Sequence, residues 1–156
     1  MISLMPTNLY GPGDNYHPTN SHVLAALLRR CHEAKVSGSA TMEIWGTGTP
    51  RREFLHSDDL ADAALFALRN YEGEEHLNVG TGTDLTIREL AELIAETVGW
   101  RGGLVFDDTK PNGMPRKLLD VSSLAQLGWT ARVDVRAGLA LTYRSFLESA
   151  ESATAR

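Results

Sequence analysis

A single cysteine, Cys31, stands among the 156 residues. No disulfide can form within the chain, which excludes the cross-linked framework of a small secreted scaffold. A lone thiol suits a reducing compartment, and the chain reads as cytoplasmic. A surplus of positive charge is also missing: 15 Lys and Arg stand against 20 Asp and Glu, for a net charge of −5. No basic field is available to hold nucleic acid, so any phosphate binding must rest on local basic pairs. No apolar run approaches the ~18 residues of a membrane-spanning helix. No basic segment precedes the first apolar residues, as a signal peptide would require. Internal repeats are absent too.

What is present is ordinary for a globular domain, with 42% hydrophobic and 22% charged residues. A chain of this length buries roughly 68–70% of its unfolded surface, enough for a real core. The stretch from Met5 to Arg30 organises the remainder. Ile2, Leu4 and Met5 form a short apolar strand that stops at Pro6. Asn8, Tyr10, Gly11, Pro12, Gly13, Asp14 and Asn15 then crowd turn-formers together and predict a loop. Pro18 to Ser21 signal a helix start. Val23, Leu24, Leu27, Leu28 and Cys31 follow at helical spacing and face a core. His22, Ala26 and Arg30 share another face, with His22 and Arg30 roughly 12 Å apart along the axis. That span suits a long anionic ligand, with a proton donor near one end and a guanidinium near the other.

Strands and helices alternate thereafter. Met42–Trp45, His76–Val79 and Leu104–Phe106 read as strands. Ser57 can cap a helix running to about Arg69, with Leu60, Ala64, Leu65 and Leu68 as its apolar side. Thr86 and Glu89 form a capping box opening a helix that Gly99 terminates. Asp107–Pro115 is a polar loop, a short helix lies near Leu124–Leu127, and Asp134 caps a last helix. The tail from Ser149 reads as frayed. Such alternation predicts an α/β fold.

Several separated strings carry a resemblance: MPTNLYGP, NSHV, WGTGTPRREFLHSDDLA, NVGTG, TIRELA and KPNGMPRKLLD. They resemble the extended short-chain dehydrogenase/reductase family and, within it, the GDP-L-fucose synthases, from about Ile2 to Leu147. The resemblance implies an NADP(H)-dependent enzyme that epimerises a GDP-4-keto-6-deoxy sugar at two ring carbons and then reduces the ketone. It implies His22, in the NSH motif, as the acid of epimerisation and as a neighbour of the cofactor. Pro6, Thr7, Asn8 and Leu9 match the segment that lines the nicotinamide. Arg30, Trp45, Arg52 and Lys117 match substrate contacts, and Asn112 is a further candidate in a loop that folds over the ligand. No metal, membrane or nucleic acid is implied, and the complete enzyme is expected to be a homodimer.

The family's Gly-rich turn is not found in this sequence. Gly46-Thr47-Gly48 and Gly80-Thr81-Gly82 do not open the βαβ unit that a dinucleotide fold needs. Tyr10, Tyr16, Tyr71 and Tyr143 are followed four residues later by Asp14, Asn20, Glu75 and Leu147, so no Tyr-x-x-x-Lys pair occurs. The chain therefore reads as the C-terminal half of such an enzyme: an incomplete NAD(P)-binding Rossmann fold plus a small α/β substrate-binding domain. Residues 1–15 and 52–70 are assigned to the Rossmann part, and 16–51 and 71–148 to the substrate-binding part. Two alternatives stay open, another nucleotide-sugar epimerase, reductase or dehydratase of the superfamily, or a non-catalytic sugar-nucleotide-binding fragment. Ile2, Leu4 and the helix around Leu60–Leu68 are expected to be poorly covered by this chain alone.

Overall fold

Short parallel ladders, rather than one continuous sheet, organise the backbone. The computed structural model describes residues 2–154, with side chains to residue 150. In chain order the elements are β1 (Leu4–Pro6), β2 (Asn8–Tyr10), α1 (Val23–Val36), β3 (Thr41–Trp45), β4 (Arg51–Arg52), β5 (Phe54–His56), α2 (Ser57–Asn70), β6 (Leu77–Val79), β7 (Leu85–Thr86), α3 (Ile87–Val98), β8 (Gly103–Asp107), β9 (Arg116–Lys117), α4 (Ser122–Gln126) and α5 (Val135–Thr154). β1 pairs with β6, β2 with β5 and β3 with β8, each in parallel. β4 lies between β7, antiparallel, and β9, parallel. The fold is α/β, as the alternating pattern predicts.

The first strand ends at Pro6, as expected, but no loop follows it directly. After Thr7, whose N–H donates to the Val79 carbonyl at 3.0 Å, the chain re-enters extended backbone as β2, where a loop was expected. β5 supplies the ladder partner, and Tyr10 is driven inward, to 3% exposure. Helix α1 starts later than its start signal, at Val23, with His22 as N-cap. Leu24, Leu27, Leu28 and Cys31 are buried as spaced, whereas Val23 is exposed on the first turn.

Helix α2 differs from its reading in two respects. Its N-cap is His56, whose ring accepts from the Asp58 N–H at 3.3 Å, and Ser57 is the first helical residue. Its buried face is Asp59, Ala63 and Ala67, while Leu65 and Leu68 are exposed. Small side chains let the helix approach closely, and the buried Asp59 carboxylate receives the backbone N–H groups of Arg132 and Val133 at 2.9–3.2 Å. Helix α3 follows its signals: both bonds of the Thr86–Glu89 capping box form, and Gly99 closes it in the left-handed region at φ 73°. The Asp134 side chain accepts the Arg136 N–H at 2.9 Å, opening α5. α5 continues to Thr154 through most of the segment expected to fray; Arg156 and its neighbour, like Met1, lie outside the described residues.

Two apolar clusters result. The larger joins α1, α3 and α5 through Leu24, Leu28, Leu90, Ile94 and Leu139, with Met42 and Ile44 from β3. The smaller gathers Leu55, Ala63, Ala67, Leu77, Val79, Leu124 and Trp129, with Ile2, Leu4 and Leu60 half-buried at its edge. Among the described residues no helix is long and apolar enough to cross a membrane. We expect Ile94→Ala to cost about 2–5 kcal/mol of unfolding free energy in urea titrations, because it opens a cavity in the larger cluster. Leu68→Ala, on the outward side of α2, should stay within about 0.5 kcal/mol. Equal costs would place Leu68 in the core and reverse the assignment of faces.

Candidate functional site

A cleft of about 400 Å³ opens at the end of β1. One wall is Pro6, Thr7 and Asn8; the other runs from Met114 through Arg116 and Lys117 to Leu118 and Leu119. Two strings far apart in sequence thus share one cleft, the MPTNLYGP strand exit and the KPNGMPRKLLD segment. The Thr7 hydroxyl and the Asn8 amide both donate to the Glu53 carbonyl, at 3.3 and 2.7 Å. Both side chains at this strand end are thus committed to Glu53, and the Thr7 N–H to the Val79 carbonyl. Leu9 faces away and packs half-buried against the smaller apolar cluster.

Glu53, between β4 and β5, is fully buried. Its Oε1 accepts from the N–H groups of Thr81 and Gly82, both at 2.7 Å, and its Oε2 from the N–H of Leu119 at 3.0 Å. One residue therefore fastens both walls, Thr7 and Asn8 through its carbonyl and Leu119 through its carboxylate. Sequence reasoning missed it. The available signal was an acidic residue directly before the apolar pair Phe54-Leu55, since a buried acid demands several partners.

The cationic rim is built by a two-residue ladder in which Arg51 faces Arg116 and Arg52 faces Lys117. Asp84, with a side chain 4% exposed, takes Arg51 Nε on one oxygen at 2.7 Å and Arg116 Nε on the other at 2.5 Å. Arg51 and Arg116 are thus neutralised by a shared acid. Their register neighbours Arg52 and Lys117 have no such acid among the contacts of the described residues, and they remain the available cations. The Arg52 guanidinium donates to the Arg51 carbonyl at 2.7 Å and lies against Gly113. The two guanidiniums, Arg116 first and then Arg51, hold the Asp84 carboxyl below the usual aspartate range.

The remaining candidates gather around the end of β3. Arg30 reaches across from α1 to the carbonyl of Glu43. Trp45 stands exposed at the strand end with the Lys110 ammonium 5.8 Å from its ring centre. The Asn112 side-chain oxygen accepts from the Thr47 N–H at 2.8 Å and from its hydroxyl at 3.0 Å, pinning the 107–115 loop to the turn after β3. A Cβ at Gly46 would fall 2.4 Å from that oxygen, so the close approach needs glycine there. Asn112 therefore fastens its loop rather than offering its oxygen to a ligand. His22 is exposed at the head of α1, outside the lining of the cleft. Burial pushes the Asp14 carboxyl above the usual aspartate range, an effect opposed by the Asn15 N–H and by the charge of His22.

The profile of the NAD dependent epimerase/dehydratase family matches residues 1–80. GDP-L-fucose synthase 1 of Arabidopsis thaliana is 62% identical over 148 residues, covering 95% of this chain and 46% of that protein. The GDP-L-fucose synthase of Escherichia coli K12 is 55% identical over 156 residues, 94% of this chain and 49% of that protein. A solved GDP-L-fucose synthetase from Naegleria fowleri bound to NADP superposes with a TM-score of 0.91 at 30% identity, covering 97% of this chain and 48% of that one. The chain spans about half the length of the curated relatives it matches.

The Asp84 clamp makes acid stability testable. Its folded pKa is depressed, so the clamp contributes at pH values above the ordinary aspartate pKa of about 3.9. That contribution is lost as pH falls through the lower folded value. Asp84→Asn should be less stable than the parent at pH 7 in urea melts. It should also lose less of its remaining stability between pH 5 and about 3. Identical pH slopes would mean the acid is not coupled to the two arginines.

Proposed function

The chain belongs to the NAD dependent epimerase/dehydratase family, and we propose that it forms the sugar-nucleotide-binding part of a GDP-L-fucose synthase. In that reading the complete enzyme is cytoplasmic and homodimeric, and converts a GDP-4-keto-6-deoxy sugar by epimerisation and NADP(H)-dependent reduction. Residues 1–15 and 52–70 belong to its cofactor-binding part, and 16–51 and 71–148 to its substrate-binding part. The observation that carries the proposal is the cleft that sets Pro6, Thr7 and Asn8 opposite Lys117, with Arg52 in register beside it.

The chemistry divides among this chain's residues as follows. Arg52 and Lys117 supply charge for a diphosphate; a guanidinium makes paired bonds to phosphate oxygens, and an ammonium acts as a point charge. Trp45, flat and exposed, offers a stacking surface at the other end, where Arg30 adds a second guanidinium. Asn112, through Thr47, holds the loop between those two regions. His22 exchanges a proton with a ring carbon beside the ketone, which an exposed imidazole at a helix head can do without losing a structural bond, since its side chain caps nothing. The fit to a nicotinamide is limited to its amide end. Pro6 has a carbonyl but no N–H, the Thr7 N–H is taken by the Val79 carbonyl, and the side chains of Thr7 and Asn8 are held by Glu53. When bound, the cofactor supplies the hydride for the ketone.

Calorimetric titration of the chain with GDP, UDP and dTDP tests the reading, and GDP should bind most tightly. Arg52→Ala should raise the Kd for GDP about 10- to 150-fold, the loss of one charge-assisted contact worth about 1.5–3 kcal/mol. Equal affinity for the three nucleotides, or an unchanged Kd in the variant, would count against it. The role of His22 is tested in an enzyme that carries this sequence at the full length of its relatives. His22→Asn should slow deuterium uptake from D₂O at the two ring carbons by about 10²–10⁴-fold, while NADPH oxidation on the ketone persists. Wild-type exchange at both carbons would make His22 a structural residue.

A further inference from the structure

We propose that Glu53 is a positioning residue that sets the separation of the two cleft walls and thereby the affinity of the sugar-nucleotide side; this rests on the reading of the cleft given above. The geometry is asymmetric. The cofactor-side wall hangs on the main chain of Glu53, whose carbonyl receives the Thr7 hydroxyl and the Asn8 amide. The opposite wall hangs on its side chain, through Leu119, two residues beyond Lys117. The other carboxylate oxygen is anchored to the Thr81–Gly82 turn, which fixes where the side chain can point. Gly80 presses on it from outside: a Cβ there would stand 2.3 Å from Oε1. The residue is fully buried, so water cannot substitute for a lost partner. A change in the side chain should release the Lys117 wall and leave the Thr7–Asn8 wall in place.

Glu53→Gln separates the two anchors. Glutamine keeps the size but has one acceptor oxygen, and the anchor with two N–H groups at 2.7 Å takes it. Its amino group is then left facing the Leu119 N–H, donor against donor. In the 156-residue chain, amide exchange followed by NMR should show Leu119 exchanging at least about tenfold faster, with Thr81 and Gly82 far less affected. Calorimetry should show the Kd for GDP raised about tenfold, the scale of one buried donor left unpaired. Uniform acceleration of all three amides with unchanged GDP affinity would make Glu53 a core residue only and overturn the proposal. So would a protected Leu119 in a variant that binds GDP like the parent. Arg52→Ala and Lys117→Ala are run alongside. If they weaken GDP binding and Glu53→Gln does not, this inference fails and the assigned function stands. If neither weakens it, the functional reading fails, and Leu119 exchange alone decides whether Glu53 sets the wall. Should Glu53→Gln not fold, Gly80→Ala crowds the same carboxylate at Oε1 and must speed Leu119 exchange and raise the Kd for GDP, parental values of both again overturning the proposal.

Discussion

A buried acid without an ion-pair partner among the described residues is an expensive arrangement, and Glu53 is stable only because the backbone converges on it. Two N–H groups of the 80–82 turn and one from Leu119 point at its carboxylate, while its carbonyl takes the side chains of Thr7 and Asn8, where β1 passes into β2. Removing a charged group's partners inside a protein costs several kcal/mol, so each of these segments is fixed by the same requirement. β4 and β5 flank the residue on either side, which carries the constraint into the ladder to β9 and into α2. The cleft exists where those segments meet.

Electrostatics then sorts four neighbouring cations into two kinds. Like charges in register on paired strands repel, and Asp84 removes that repulsion for Arg51 and Arg116 by bridging both. What it does not neutralise is the next register pair, Arg52 and Lys117. A ladder only two residues long thus yields one pair that ties β4, β7 and β9 together and one pair left for an anion. Glu89 adds a weaker tie, with Arg51 at 3.9 Å, and is itself occupied in the capping box of α3. The rim of the cleft and the start of that helix therefore share their charges.

Where the chain's periodicity was strong, the fold was legible. The apolar spacing of α1 from Leu24 on, the capping box and Gly99 of α3, and Asp134 before α5 read correctly, because each depends on neighbours within a turn or two. The apolar side of α2 read wrongly for a physical reason: hydrophobicity favoured Leu65 and Leu68, but the fold buries Ala63 and Ala67, whose small size permits close packing around Asp59. β2 was read as loop because its turn-forming residues become extended only when β5 is there to pair with them. For the site, motif matching named Pro6, Thr7, Asn8, Arg52 and Lys117, and the fold gathers these around one cleft and its rim. It could not name Glu53 or Asp84, whose importance lies in partners dozens of residues away. Asn112 was found by its setting in a Gly/Pro loop, but its bond to Thr47 was not visible there.

The pairing of the parallel strands has a bearing on synthesis. β1 must wait for Leu77–Val79, β2 for Phe54–His56, β3 for Gly103–Asp107, and β4 for Arg116 and Lys117. None of these ladders joins near neighbours, and each closes a long loop before its contacts reward the lost entropy. On a ribosome, chain emerging at roughly 5–20 residues per second, the Pro6–Asn8 segment is made before its facing wall at Arg116–Leu119, which follows seconds later. Helices α1, α2 and α3 can take shape in the interval, while the strand edges of β1 and β4 stand open to any passing partner. The nascent chain is therefore most vulnerable to mispairing when it has its helices but not yet its cleft, and a chaperone that shields extended apolar segments would act in that window.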